Sequence, residues 1–171
     1  MHRKESRTGN LTLGRRDFFK IGGALGVAAG LSVREAEPAS AQDAVFPVVD
    51  VAPLADIQAG AEIEFFYPDE NSPAVLLRLD APAEGGIGPN ESIVAYSILC
   101  THKGCPVQFK SDKHMFICPC HWSSFDPAKA GRVIIGHASE SLPQINLRVQ
   151  DGKVQATGVN GLIFGRHTNI L

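Results

Sequence analysis

What is scarce in this sequence narrows its function before any motif is read. No apolar stretch reaches the ~20 residues that a membrane-spanning helix needs. The apolar run from Ile21 to Val33 covers thirteen positions and is diluted by Gly and Ala. A basic surplus is missing as well. Residues 42–171 hold nine Lys/Arg against fourteen Asp/Glu, so the body is mildly acidic. That balance offers no nucleic-acid surface, and we read the acidic excess as ordinary solubility. Internal repeats and low-complexity stretches are absent. Apolar residues at 44% and charged residues at 20% exclude a disordered or collagen-like chain. At 171 residues there is no room for a separate catalytic domain beside one ordinary domain.

The first forty-one residues are basic where the body is acidic, with seven Lys/Arg against four Asp/Glu. Arg15-Arg16-Asp17-Phe18-Phe19-Lys20 leads into the weak apolar run, and Ala39-Ser40-Ala41 follows it. A basic region, an apolar region and a small-residue cleavage site in that order form a secretion signal, and the Arg pair marks the twin-arginine type. Residues 1–41 are thus expected to be a cleaved leader that sends an already folded protein to the periplasm. A membrane association is expected only if the leader is retained.

Residues 42–171 read as one all-β domain. Seventeen Gly and eleven Pro in the whole chain favour frequent turns. β-prone runs lie at Phe46–Val51, Glu62–Tyr67, Ala74–Leu79, Ser92–Leu99, Arg132–Ile135, Ile145–Gln150 and Lys153–Thr157. Pro68 to Pro73 is a turn cluster and Glu84 to Asn90 a loop, while Leu54–Ala59 suits one helical turn. Asp151-Gly152 between two alternating runs predicts a hairpin. Short strands at this spacing predict an antiparallel sandwich or barrel.

All four cysteines fall within residues 100–120. Cys100-x-His102 and Cys118-x-x-His121 each offer one thiolate and one imidazole. Such a set suits a tetrahedral zinc, or a [2Fe–2S] cluster with two Cys on one iron and two His on the other. Two structural disulfides would also use the four thiols, but would leave the histidines idle. A thioredoxin-like pair does not fit, because Cys118 and Cys120 are separated by one residue and no βαβ pattern surrounds them. Four cysteines allow three full connectivities, and a single Cys105–Cys120 bridge would leave free the two thiols at ligand spacing, Cys100 and Cys118.

Cys-Thr-His-Lys-Gly-Cys at 100–105 and Cys-Pro-Cys-His-Trp-Ser-Ser-Phe-Asp at 118–126, with Gly131-Arg132-Val133 after them, resemble the two boxes of Rieske iron–sulfur proteins. The resemblance is tight over about 98–143. It implies a [2Fe–2S] cluster on Cys100, His102, Cys118 and His121, and a disulfide Cys105–Cys120. It also implies a Rieske-type fold: an antiparallel β base carrying a small inserted cluster-binding subdomain. In that family Ser123 stands where a serine hydrogen-bonds a bridging sulfide. Phe125 stands where high-potential members carry a tyrosine.

Within the family, the small subunit of arsenite oxidase is the expected class. Oxygenases need a large iron domain, and the ferredoxins of those systems are cytosolic and usually lack the extra Cys pair. Subunits of cytochrome bc-type quinol-oxidising complexes, the alternative, keep an apolar anchor and normally place Gly where Trp122 stands. They also carry a Pro-rich loop where this chain has Gly136-His137-Ala138-Ser139-Glu140. The arsenite oxidase resemblance implies a large molybdopterin subunit with its own iron–sulfur cluster as partner. It implies a soluble cytochrome c or an azurin-like copper protein as acceptor. His114 and His167 are expected at the surface, and His137 either beside the partner face or in a plain loop. Trp122 is expected either to cover the cluster or to anchor an interface.

Overall fold

Apolar runs closed by turn residues become antiparallel strands. The computed structural model describes residues 46–170, so the leader read at 1–41 lies outside the described residues. Within them the chain forms β1 (Val49–Pro53), β2 (Glu62–Phe66), β3 (Pro73–Arg78), β4 (Ile93–Ser97), β5 (Gln108–Lys110), β6 (Met115–Ile117), β7 (Ser124–Asp126), β8 (Arg132–Ile135), β9 (Gln144–Gln150) and β10 (Lys153–Asn160). Helical structure in this part is limited to three short 3-10 turns, one of them at Leu54–Asp56. The expected all-β class holds. β1 begins later than the apolar run suggested and runs through Pro53, which an edge strand tolerates because the missing N–H interrupts no inner ladder. Asp151 and Gly152 both take positive φ, 51° and 75°, as a tight hairpin between β9 and β10 demands.

The strands form two sheets. The base has the order β1-β10-β9-β4-β3-β2, and a smaller sheet has the order β5-β6-β7-β8. β4 and β9 are neighbours in the base, yet the whole small sheet lies between them in sequence. It is therefore a lobe inserted at a strand-to-strand connection. Its three leading strands, β5, β6 and β7, were not legible in the sequence. Each has three residues, too few to show an alternation.

β3 and β4 are apolar on both faces because each face meets a different core. Ala74, Leu76, Ile93 and Ala95 join Ile145, Val154 and Ala156 inside the base. Val75, Leu77, Val94 and Tyr96 face the other way and pack with Phe116, Phe125, Leu142, Cys100 and Cys118 of the lobe. Continuous rather than alternating apolar runs are what two-sided burial requires. The lobe is thus held by the back of the same two strands that build the base.

One polar tie crosses this second core. The Tyr96 hydroxyl, fully buried, donates to the Pro127 carbonyl at 2.7 Å and accepts from Gln144 Nε2 at 3.3 Å. Burial holds this phenol firmly protonated. After β10 the chain turns back to the lobe. Arg166 pairs with Asp69 and donates to Ser72 Oγ at 3.0 Å. Asn169 accepts from the Ile163 N–H at 3.0 Å. The ring of Phe164 lies over Gly104, where an added Cβ would come within 2.5 Å of it.

Replacing Tyr96 by Phe strands the Pro127 carbonyl in an apolar core. Denaturant unfolding should show a loss of about 1–3 kcal/mol. A loss below about 0.5 kcal/mol would mean that the tie is replaced locally.

Candidate metal centre

Two hairpin-like turns of the lobe carry the Cys and His residues. In the first, the Cys100 N–H bonds the Cys105 carbonyl at 3.0 Å and the Gly104 N–H bonds the Cys100 carbonyl at 2.7 Å. In the second, the Cys118 N–H bonds the Ser123 carbonyl at 2.8 Å and the Trp122 N–H bonds the Cys118 carbonyl at 3.0 Å. Tight turns need residues in the left-handed region. Gly104 supplies one at φ 73°, and Trp122 the other at φ 61°. The turns are joined by a Cys105–Cys120 disulfide.

The disulfide leaves Cys100 and Cys118 as free thiols, each only 1% exposed. The sulfurs of Cys105, Cys118 and Cys120 lie within 4.8 Å of one another, so the bridge packs directly against the second free thiol. Burial pushes the Cys100 thiol up, and its contact with Cys118 acts in the same direction. The N–H groups of His102 and Lys103 pull the other way by pointing at the Cys100 sulfur. The rings of His102 and His121 meet edge to face at 4.8 Å. Desolvation, followed by the neighbouring His121, His137 and Lys103, holds His102 below the ordinary histidine range. Its Nδ1 is buried and has no hydrogen-bond partner.

A third loop closes the end of the lobe. Ser123, fully buried, accepts the N–H groups of His137 and Ala138 on one hydroxyl oxygen, both at 3.0 Å. A hydroxyl has two lone pairs and one proton, so both acceptor positions are filled and the proton is free to donate. Gly136 must stay Gly, because a Cβ there would fall 2.4 Å from the Ser123 backbone. Thr101 Oγ1 donates to the Glu140 carbonyl at 2.7 Å, tying the first turn to this loop. Phe125 is fully buried, opposite Phe116 in the ladder and packed in the same core as both free thiols.

These residues form one site: two buried thiols from separate turns, two imidazoles in contact, and one ring nitrogen with nothing to bond. An orphaned nitrogen and paired buried thiols are costly unless a metal takes them. Soft thiolates with imidazoles fit either an iron–sulfur cluster or zinc by chemistry alone.

The comparison with known proteins decides between them. A Rieske [2Fe–2S] domain profile matches residues 48–146. The chain belongs to the Rieske [2Fe–2S] family. Its cofactor is accordingly a Rieske cluster, and the donor set above fits it. The iodate reductase subunit IdrB of Denitromonas iodatirespirans is 40% identical over 161 residues, 92% of this chain and 86% of that one. The Rieske iron–sulfur subunit of the cytochrome bc1 complex of Streptomyces lividans is 48% identical over 71 residues, 40% of this chain and 42% of that one. Among solved structures, the soluble domain of Rieske protein II from Sulfolobus acidocaldarius has a similar fold. Its TM-score is 0.64 at 24% identity, and the match covers 71% of this chain and 82% of that one.

Several side chains at this Rieske site gain definition from the structure. Trp122 is 72% exposed, which removes the possibility that it covers the cluster as core. His114 and His167 are exposed, as expected. His137 is also exposed, and its ring stacks on His102 at 5.4 Å. Sequence reasoning missed Thr101 and Phe164, which hold the first ligand turn from outside. Their only signal was proximity in a fold not yet known.

The double substitution Cys105→Ser with Cys120→Ser releases a loop of sequence separation 15. Unfolding should cost about 3 kcal/mol less. The visible absorption of the loaded protein should decay faster on heating. An unchanged denaturation midpoint would show that the backbone bonds alone fix the two turns.

Proposed function

We propose that this chain is the electron-transfer subunit of a periplasmic arsenite oxidase, exported folded by the twin-arginine route with residues 1–41 removed. It would pass electrons between a large molybdopterin subunit with its own iron–sulfur cluster and a soluble cytochrome c or azurin-like copper protein. The coarser role, a Rieske electron-transfer subunit of an oxidoreductase, rests on the family and on relatives that are themselves subunits. The observation that carries the finer reading is the lobe tip. Trp122, Lys103 and the loop Gly136-His137-Ala138-Ser139-Glu140 have the pattern of arsenite oxidase small subunits, and the tip presents its side chains to solvent. His121, Trp122 and His137 are exposed there.

In this reading Cys100, His102, Cys118 and His121 hold the cluster, which when bound accepts and returns one electron. The chain's own residues fix the rest. Two imidazoles in place of two thiolates leave the oxidised cluster formally neutral, so an added electron meets less repulsion. The Ser123 proton, freed by the two N–H groups that fill its oxygen, is available to a cluster sulfur. Phe125 offers no such donor. The disulfide and the buried flanks keep water from the thiol side, while the imidazole side faces outward.

A second reading is favoured by the 40% relative that spans most of both chains: a subunit of an iodate-reducing enzyme. There electrons would run toward the catalytic subunit. One anaerobic experiment on the native complex separates the readings. Arsenite should bleach the oxidised cluster's visible absorption. Iodate restoring that absorption in a dithionite-reduced complex, with no response to arsenite, would reverse the assignment. Neither response, with a haem-bearing cytochrome b co-purifying, would make the chain a bc-type subunit.

Phe125→Tyr should raise the midpoint potential by adding a donor beside the thiols. Protein-film voltammetry reads this directly, and an unchanged or lower potential would remove Phe125 from the tuning of the site.

A further inference from the structure

Trp122 occupies a backbone position that a bulky side chain adopts at a cost. Its φ is 61°, a region that Gly enters freely and other residues rarely. The turn requires that backbone position, but the bulky side chain gains little from packing there, because the indole is 72% exposed. A strained residue that does not serve packing points to a role outside the chain. The indole directly follows His121 and borders a groove of about 290 Å³ lined by Gln108, Lys110, Asp112, Lys113, Pro119 and Trp122. The groove therefore touches the second ligand turn on both sides of Cys120 and His121.

Charge divides along the same line. Residues 98–143 carry five Lys/Arg against three Asp/Glu, while the rest of 46–170 carries four against ten. Lys129 and Arg132 lie against Glu84, at 3.5 and 3.7 Å, so the lobe's positive field comes from Lys103 in the first turn and from Lys110 and Lys113 in the groove, set against Asp112. Such a field orients an approaching acidic protein toward the lobe and raises its encounter rate. Two lysines flanking an exposed tryptophan match the anatomy of a transient interface: an aromatic anchor within a charged rim.

We propose that the Lys110–Lys113–Trp122 groove is the docking site of the soluble one-electron carrier, and that this carrier is a protein with an acidic face. Trp122 is its anchor, and Lys110 and Lys113 steer it. The proposal rests on the electron-transfer reading above, but not on arsenite as substrate. The carrier then sits one residue from His121, on the exposed imidazole side of the site.

The test uses the native complex, reduced with dithionite and mixed in a stopped-flow instrument with oxidised c-type cytochromes. One cytochrome is acidic and one basic. At an ionic strength of ~20 mM the acidic cytochrome should be reduced faster, and the advantage should shrink toward unity at ~0.5 M. The pair Lys110→Glu with Lys113→Glu should slow the acidic cytochrome about tenfold at low salt and little at high salt. Trp122→Gly, which suits the backbone at φ 61°, should slow it at both. Midpoint potential and visible spectrum are recorded for each variant, so that lost docking is separated from lost driving force. Three outcomes would overturn the proposal: a rate unmoved by charge reversal, a basic cytochrome preferred, or variants that lose the catalytic subunit on purification. The last would make the groove that subunit's seat. Because dithionite supplies the electrons, a complex that ignores arsenite refutes the substrate assignment and leaves this test intact.

Discussion

The lobe exists to keep two thiols apart from two others. Cys100 and Cys118 must remain free, although the sulfur of Cys118 lies within 4.8 Å of a formed disulfide. Cys105, Cys118 and Cys120 lie close enough together that thiol–disulfide exchange could redistribute the bridge. The backbone settles the choice. Each turn closes on its own cysteine through short N–H to carbonyl bonds, which directs Cys100 and Cys118 into the core and Cys105 and Cys120 toward each other. The turns therefore determine which sulfurs are bridged and which stay free.

That arrangement depends in turn on β3 and β4. A lobe with four short strands has little core of its own. It borrows Val75, Leu77, Val94 and Tyr96 from the outward face of the base. Burying side chains of this size contributes about 1.5–3 kcal/mol each. The same strands place Ala74, Leu76, Ile93 and Ala95 in the other core. Base and lobe thus stand or fall together, and a core substitution in β4 reaches both.

The C-x-H and C-x-x-H spacing stands out in the sequence, and the structure leaves its two thiols free and buried and brings its two imidazoles into contact. The base strands were nearly as clear, since two-sided burial leaves long apolar runs at Ala74–Leu79 and Ser92–Leu99. The lobe strands were not, because three residues cannot show a period. Nor were Thr101 and Phe164, whose roles come from contacts made across the fold. The lysines of the groove were hidden for a related reason: a net count over residues 42–171 averages them with the acidic residues elsewhere in the domain. Trp122 was ambiguous until its exposure and backbone angle could be read together.

The last described residues return to the first ligand turn. Phe164 rests on Gly104, Arg166 fastens the segment to Asp69 and Ser72, and Asn169 folds back on Gly161 and Ile163. Residues 162–166 share a cleft with Thr101 and Glu140, so this segment borders the first turn of the lobe. A reporter inserted within it would crowd the redox end of the molecule. A dye attached through the hairpin at Asp151 and Gly152 would ride on the base sheet, with the base strands between it and the iron ligands.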